Sequence, residues 1–474
     1  MGYQVPQNIV PDKYFFVNRS EIKGRLDPKM ALYNKIVQHA LFPMVKLKNL
    51  LLSKPQYGAN EAGLDRLNNT QPRYIRITDI DENGLISINE LGATVANVEE
   101  KYILKDNDIL IARSGATVGK AYIHKNLPYT CLYAGYLIRF LVNPQIILPD
   151  YLFFYTQLNS YKEWVNAIQR PSAQPNINAE EYQSLDIPLP DLSKQTEIVD
   201  FLSEAYLNKQ QKEQQAETML NGIDDYLLGE LGVALPQDNK NKTFLVGYND
   251  IIDDRWDPYY HKPYFSAAFE RLKGKYDLYT IKQVSSLITS GITPLSGGDA
   301  YTDREEGVAF IRSGDIDING DIDFEKLLYI KPSVHNFIMQ SSQVRKNDIM
   351  IAIVGATIGR IGIYYSDKPA NINQAIALVR LKANFLPDYV KEVLQSSIGQ
   401  LNLDKMKRPV ARANINLEEI GHIIIPIPSL DKQQEIINHI SEMRAQAKLL
   451  QAEGAEILQK AKLEVERIIL GSMG

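Results

Sequence analysis

The chain has a single cysteine, Cys131, among 474 residues. That excludes an internal disulfide framework and fits a reducing cytosol. Histidine is scarce as well, with six residues at spacings that match no metal site. No run of about 18 apolar residues exists, so no transmembrane helix is expected. The opening stretch, MGYQVPQNIVPDKYFF, lacks a basic segment followed by an apolar core. No secretory signal is expected from it, and the location expected is cytoplasmic. Positive charge is not in excess either, the formal net charge being −5. Proteins that bind nucleic acid over their whole surface often carry a basic excess, but basic patches on an acidic body still act locally. What remains is an ordinary globular make-up, 45% hydrophobic and 23% charged, long enough for roughly two to four domains.

Residues 112–121 read ARSGATVGKA, which resembles a phosphate cradle at first sight. A Walker loop needs four residues between its glycines, then Lys, then Ser or Thr for magnesium. Gly115 and Gly119 enclose three, and Ala121 follows Lys120, so an ATPase or kinase reading fails on spacing. The segment recurs as AIVGATIGRI at 352–361, with Arg360 in place of Lys120.

That recurrence is one of many. RLDP at 25 returns as RWDP at 255, and RYIRITDIDENG at 73 as AFIRSGDIDING at 309. LPDY stands at 148 and 386, PNIN at 175 against ANIN at 413, and DIPLP at 186 against IIPIP at 424. KQTEIV at 194 returns as KQQEII at 432. The order is conserved and the offsets stay between 230 and 240 residues. This is one duplicated unit of about half the chain, not a solenoid of short repeats.

Each copy has two parts. In the first, Arg73–Thr78 is β-like, Asn83-Gly84 signals a hairpin, and Leu85–Ile88 begins a return strand, with Asn319-Gly320 as the second-copy turn. Asp108–Ala112 and Asp348–Ala352 are expected as buried strands, and Tyr151–Ile168 and Tyr389–Leu403 as helical. The mixture is α+β. The second part is a long helix, starting near Asp191-Leu192-Ser193 and Ser429-Leu430-Asp431. Steps of four and three in the second copy pick out Ile436, Ile440, Met443, Ala447, Leu450, Gly454, Ile457, Ala461, Glu464 and Ile468, a heptad seam. The first copy gives Ile198, Leu202, Ala205, Lys209, Lys212, Ala216, Met219, Ile223, Tyr226 and Glu230, weaker where the lysines stand. Neither helix is expected to be stable alone, and the two are natural antiparallel partners. Such a rod of about 40 residues, on the order of 60 Å, is a little under two turns of B-DNA. Packing or dimerisation is the other use of such a seam.

Taken together, NDI-hydrophobic-IA…GAT-(V/I)-G-(K/R) at Asn107–Lys120 and Asn347–Arg360, NIN followed by IP(L/I)PxL at Asn176–Leu192 and Asn414–Leu430, and KQxEI at Lys194–Ile198 and Lys432–Ile436 resemble the specificity subunit of type I restriction–modification systems. The resemblance covers essentially the whole chain. It implies two pseudo-symmetric α/β target-recognition domains separated by a pair of long antiparallel coiled-coil helices. The boundaries expected are 1–192 and 239–430 for the domains, and 193–238 and 431–474 for the helical spacers. It also implies a bipartite, asymmetric double-stranded DNA target with one half-site per domain. The implied partners are two adenine-N6 methyltransferase subunits and motor–endonuclease subunits. S-adenosylmethionine, ATP and magnesium are expected on those partners and no cofactor on this chain. Tyr57–Thr70 and Gly291–Asp303 differ most between the copies, as unequal half-sites require, although drift after duplication also produces this.

The candidate DNA-binding residues are Arg76, Arg113, Thr117, Lys120, Arg170, Gln174, Arg312, Thr357, Arg360, Lys407, Arg408 and Arg412. Thr117, Lys120, Thr357 and Arg360 either meet phosphate or a base edge, or belong to a structural turn with a solvated charge. Arg76 and Arg312 either contact guanine or pair with Asp79 and Asp315. The loops holding Arg170, Gln174, Lys407, Arg408 and Arg412 are basic enough to follow a DNA backbone. Trp164 and Trp256 read as packing residues. No catalytic residue is assigned. Asp257-Pro258-Tyr259-Tyr260 lacks one proline of an amino-methyltransferase motif, and Pro149-Asp150 has no paired carboxylate and lysine of a nuclease. A protein-interaction scaffold or an antirestriction decoy is the competing reading, and the net charge leans mildly towards it.

Overall fold

A computed structural model describes residues 28–87, 90–169, 175–237, 243–248, 251, 255–270, 272, 275–295, 298–408 and 413–471. It divides into two compact units, Met1–Glu213 with Gln451–Gly474, and Gln214–Leu450. Each unit therefore combines one repeat with part of the long helix belonging to the other.

In unit 1, helix α1 (Pro28–Val37) is followed by strands β1 (Met44–Lys46), β2 (Gln56–Tyr57), β3 (Leu64–Asp65), β4 (Arg73–Ile75), β5 (Ala93–Thr94), β6 (Ile109–Ala112), β7 (Ala121–Ile123), β8 (Cys131–Tyr133) and β9 (Leu137–Phe140). Helices α2 (Pro149–Tyr155), α3 (Asn159–Ile168) and α4 (Ala179–Gln183), strand β10 (Asp186–Pro188) and the long helix α5 (Leu192–Leu231) complete the repeat. One sheet has the order β2-β9-β6-β7 and is antiparallel; another has the order β3-β5-β4-β8, in which β4 and β8 run parallel. Strand β1 pairs with β10.

The continuous apolar run ILIA is explained by where β6 lies. Successive strand side chains point to opposite faces. Ile109 and Ile111 face a core made with Tyr151, Leu152, Tyr155 and Trp164, whereas Leu110 and Ala112 face a second core with Ile75, Tyr122 and Tyr133. With both faces covered, no polar alternation survives.

Unit 2 repeats this plan. It contains α6 (Pro263–Glu270), β11 (Asp277–Thr280), α7 (Ile281–Val284), β12 (Ser285–Ser290), β13 (Tyr301–Thr302), β14 (Val308–Ile311), β15 (Leu328–Ile330), β16 (Gln343–Val344), β17 (Ile349–Ala352), β18 (Ile361–Ile363), β19 (Ala370–Ile372) and β20 (Ile376–Leu381). Then come α8 (Pro387–Gln395), α9 (Ser397–Met406), α10 (Leu417–Gly421), β21 (Ile424–Ile427) and α11 (Leu430–Leu470). Its sheets run β12-β20-β17-β18 and β13-β15-β14-β19-β16, with β11 paired to β21. Ile349 and Ile351 again face one core, and Met350 another.

The repeated motifs are joints of this scaffold. The Tyr151 hydroxyl of LPDY donates to the Pro188 carbonyl at 2.6 Å, and Tyr389 to Pro426 at 2.8 Å. The glutamine of KQxEI is buried in both copies. Gln195 donates to the Ile146 and Pro190 carbonyls and accepts from the Leu148 amide at 2.8 Å; Gln433 donates to Pro428 and accepts from Leu386. In the NDI turn, Asn107 and Asn347 sit at φ 69° and 71°. The buried Asp108 and Asp348 that follow pair with Arg139 and Arg380. Asn178 and Asn416 of the NIN segments cap α4 and α10 in reciprocal exchange with Glu181 and Glu419.

Within each unit the paired stretches of α5 and α11 run in opposite directions. In unit 1, Lys212 pairs with Glu453, Lys209 lies against Gly454, and Lys462 lies over the Tyr206 ring. In unit 2, Gly222 meets Met443, Tyr226 meets His439 with ring centroids 4.2 Å apart, and Glu230 pairs with Lys432 at 2.7 Å. The two lysines that weaken the first seam are thus accommodated, Lys212 by an ion pair and Lys209 by the missing side chain of Gly454. Each unit also borrows a helix cap across this pairing. Glu466 of α11 accepts from the Ser160 amide at the start of α3, and Asp224 of α5 accepts from the Ser397 amide at the start of α9.

Several expectations need correction. The Asn-Gly turns are closed by one bridge each, Ile80 to Ile86 and Ile316 to Ile322. The carboxylates of Asp81 and Asp317 accept two turn amides apiece. The antiparallel neighbours of the strands before those turns come later in the chain, as β5 and β15. The helical stretches after LPDY are each two helices, interrupted at Leu158 and Ser396, whose backbones are extended. The α11 seam holds through Gly454 and again at Ala461, but around Ala461 it turns by one residue, burying Leu458, Val465 and Ile469 more deeply than Ile457, Glu464 and Ile468. Trp164 is buried, but Trp256 is 70% exposed.

Candidate nucleic-acid interface

The GAT(V/I)G segment is a backbone dock. Gly115 and Gly355 donate to the Pro175 and Ala413 carbonyls at 3.0 Å, while Ile177 and Ile415 donate back to Arg113 and Ile353 at 2.9 and 3.0 Å. The motif thereby receives the NIN segment as a one-bridge sheet, Ser114 to Asn176 and Val354 to Asn414. Glycine is required for two reasons. Gly115, Gly119, Gly355 and Gly359 all have φ between 74° and 93°, where a Cβ is strained. At Gly119 a Cβ would also lie 2.8 Å from Val165, and at Gly359 2.5 Å from Gln400.

Most of the candidate cations have partners inside the fold. Lys120 Nζ donates to the Ile80 carbonyl at 2.8 Å, and Arg360 Nη1 to Ile316 at 2.9 Å. These matching bonds pin the dock to the Asn-Gly turn, so the Lys/Arg interchange conserves a donor of equal reach. The solvated-charge reading of both residues is corrected by these bonds, each of which takes one N–H donor of the group. Thr357 Oγ1 donates to the Val354 carbonyl at 3.2 Å, and Thr117 is partly exposed at the equivalent place. Arg76 and Arg312 form two-pronged pairs with Asp79 and Asp315, closing at 3.0 and 2.8 Å. Those pairs raise both guanidinium pKa values further. Lys407 pairs with Asp404, and Arg408 with Glu419. Arg170, Gln174 and Arg412 lie outside the described residues.

Arg113 is different. Its guanidinium lies over the Tyr57 ring, 4.7 Å from the centroid. It borders an open cleft of about 390 Å³ together with Tyr57, Asn60, Ser114, Tyr136 and Asn176. Tyr57 accepts a hydrogen bond from the Ala179 amide at 3.1 Å, and Tyr136 is 63% exposed. Tyr57, Asn60 and Tyr136 were missed from sequence. The signal available was Tyr57 within the divergent 57–70 stretch, but tyrosine alone does not separate a surface platform from core.

Residues 58–218 and 261–459 match the type I restriction modification DNA specificity domain, once per repeat. The chain belongs to that family. It is 27% identical over 304 residues to the type I restriction enzyme EcoBI specificity subunit of Escherichia coli, a match covering 62% of this chain and 59% of that protein. It is 21% identical over 405 residues to the EcoKI specificity subunit of Escherichia coli strain K12, covering 82% and 78%. A solved chain described under complex assembly and conformational transition of the type I restriction–modification system is 14% identical, with a TM-score of 0.48 over 90% of this chain and 96% of that one.

The two specificity domains diverge on shared backbone. The Arg113 amide donates to Tyr136 O, and at the matching place the Ile353 amide donates to Ala375 O, both at 2.9 Å. Gly58 and Gly291 approach equivalent carbonyls, those of Tyr133 and Ile372, which aligns Tyr57 with Ser290. The trio Tyr57, Arg113 and Tyr136 of the first domain is therefore Ser290, Ile353 and Ala375 in the second. Among the described residues no helix is long and apolar enough to cross a membrane.

Proposed function

We propose that this chain is the DNA sequence-specificity subunit of a type I restriction–modification complex, each repeat reading one half of a bipartite, asymmetric target. The observation that carries the proposal is a pair of family domains on one scaffold with unlike side chains at the same backbone positions. A scaffold for identical protein partners has no need of unlike surfaces. The chain itself supplies address rather than chemistry. Adenine-N6 methylation and cleavage belong to two methyltransferase subunits and to motor–endonuclease subunits in the cytoplasm, which hold S-adenosylmethionine, ATP and magnesium.

Co-expression with the cognate methyltransferase, followed by long-read detection of N6-methyladenine, tests this reading. One bipartite motif is expected, with an unread gap of several base pairs. An ungapped motif, or the same methylation without this chain, would sink it.

A further inference from the structure

The cleft around Arg113 combines an anchored platform with an unengaged guanidinium. The backbone of Arg113 is fixed on both sides, its amide by Tyr136 and its carbonyl by Ile177. Its side chain rests on Tyr57, itself held through its hydroxyl by Ala179. Contact with the ring restrains the guanidinium before any ligand arrives, so less freedom is lost on binding. Arginine carries five N–H donors. Among the described residues none of those on Arg113 meets an acceptor, in contrast to Arg76, Arg312, Arg360 and Arg408.

Two kinds of DNA group accept such a fork. Phosphate is the same along every duplex and carries no sequence, so two similar readers would both profit from the contact. A base edge belongs to one half-site alone. The second repeat keeps the backbone of this position and replaces the trio with Ser290, Ile353 and Ala375, Ile353 being buried. This one-sidedness favours the base.

We infer that Arg113, presented by Tyr57 as a positioning residue, reads a guanine edge in the half-site of the first repeat. The inference rests on the function proposed above. Bidentate contact of arginine with guanine O6 and N7 is the matching chemistry, and exposed Tyr136, Asn60 and Asn176 border the place where the base edge would lie.

The test uses the full complex of this chain with its methyltransferase. The chain is unaltered or carries Arg113→Ala, Arg113→Lys or Tyr57→Ala, and assembly of each complex is checked by size exclusion. Arg113→Ala is expected to make one G·C position of a single half-site degenerate. Methylation of the original motif should fall by about 10- to 100-fold, with the other half-site unchanged. Arg113→Lys keeps the charge but not the fork and should relax the same position. Tyr57→Ala should weaken preference there to a smaller extent. A gapped motif unchanged by Arg113→Ala overturns this inference alone. Equal weakening at every position, restored by lysine, also overturns it, because it identifies a phosphate contact. If the unaltered chain yields no gapped motif, the underlying function fails and this inference with it.

Discussion

Buried polar joints make individual residues of this chain unequal in cost. Gln195 satisfies two carbonyls and one amide between the start of α5 and the LPDY segment. Replacing it with alanine strands those groups, and each stranded buried group costs about 1–3 kcal/mol. Gln195→Ala is expected to destabilise unit 1 by about 2–4 kcal/mol, measured by urea unfolding; a loss under about 0.5 kcal/mol would contradict the joint. Asn107 adopts a left-handed backbone at φ 69°. Asn107→Gly should be nearly neutral, whereas Asn107→Val should cost on the order of 1–2 kcal/mol in the same assay.

The joints were visible in the sequence as repetition, because a residue with the same neighbours in both copies is held to the same type. Their partners were not visible. Lys120 and Arg360 reach backbone carbonyls of Ile80 and Ile316, and a carbonyl leaves no trace in residue identity. Arg76 with Asp79 was legible for the opposite reason, both side chains lying one helical turn apart.

At the scale of elements, the heptad seam predicted the inner face of α11 as far as Gly454 and then slipped. Seven residues do not make a whole number of α-helical turns, so a strict repeat drifts unless supercoiling corrects it. Gly454 sits against the backbone of Lys209, where a Cβ would lie 3.3 Å from the Lys209 carbonyl oxygen. Gly454→Leu is therefore expected to cost about 1–3 kcal/mol through overpacking, against the gain in helix propensity. A rise in melting temperature would show that the helices separate there more readily than the contact implies.

Lys462 on the same helix adds a pH dependence. Burial, and then Lys162 and Lys209, bring its ammonium down to about 8, with Asp81 opposing. The folded state thus favours the neutral amine, and the unfolded chain binds more protons between about pH 8 and the ordinary lysine range. Stability from this site rises with pH across that window. Lys462→Met should stabilise the protein near pH 7 by on the order of 1 kcal/mol after screening is allowed for. The advantage should fade above about pH 8. Calorimetry at several pH values checks this, and an advantage that grows with pH would refute the assignment.

At the scale of the whole molecule, duplication was the most legible fact, since it needs no structure to recognise two ordered sets of motifs. The strands were less so. Asn83-Gly84 promised a hairpin, but the ladder edge of β4 goes to β5 and β8, chosen by tertiary pairing rather than by the nearest turn. Exchange of residues 1–190 for those of another family member is expected to alter one half of the methylated motif only. If both halves change together, independent reading by the repeats is wrong. Deleting one heptad from each long helix should shorten the unread gap or abolish methylation, and an unchanged gap would count against a spacer role.

Unit 1 is closed by residues of α11, which follow the whole second repeat in the sequence. Leu458, Ala461, Val465 and Ile469 pack into the core of the first repeat, and Glu466 caps its helix α3. During synthesis the first repeat leaves the ribosome well before these residues exist. It must wait, with an apolar flank uncovered, until they emerge. A premature stop just before Leu458 would accordingly injure a domain whose own repeat had been made long before.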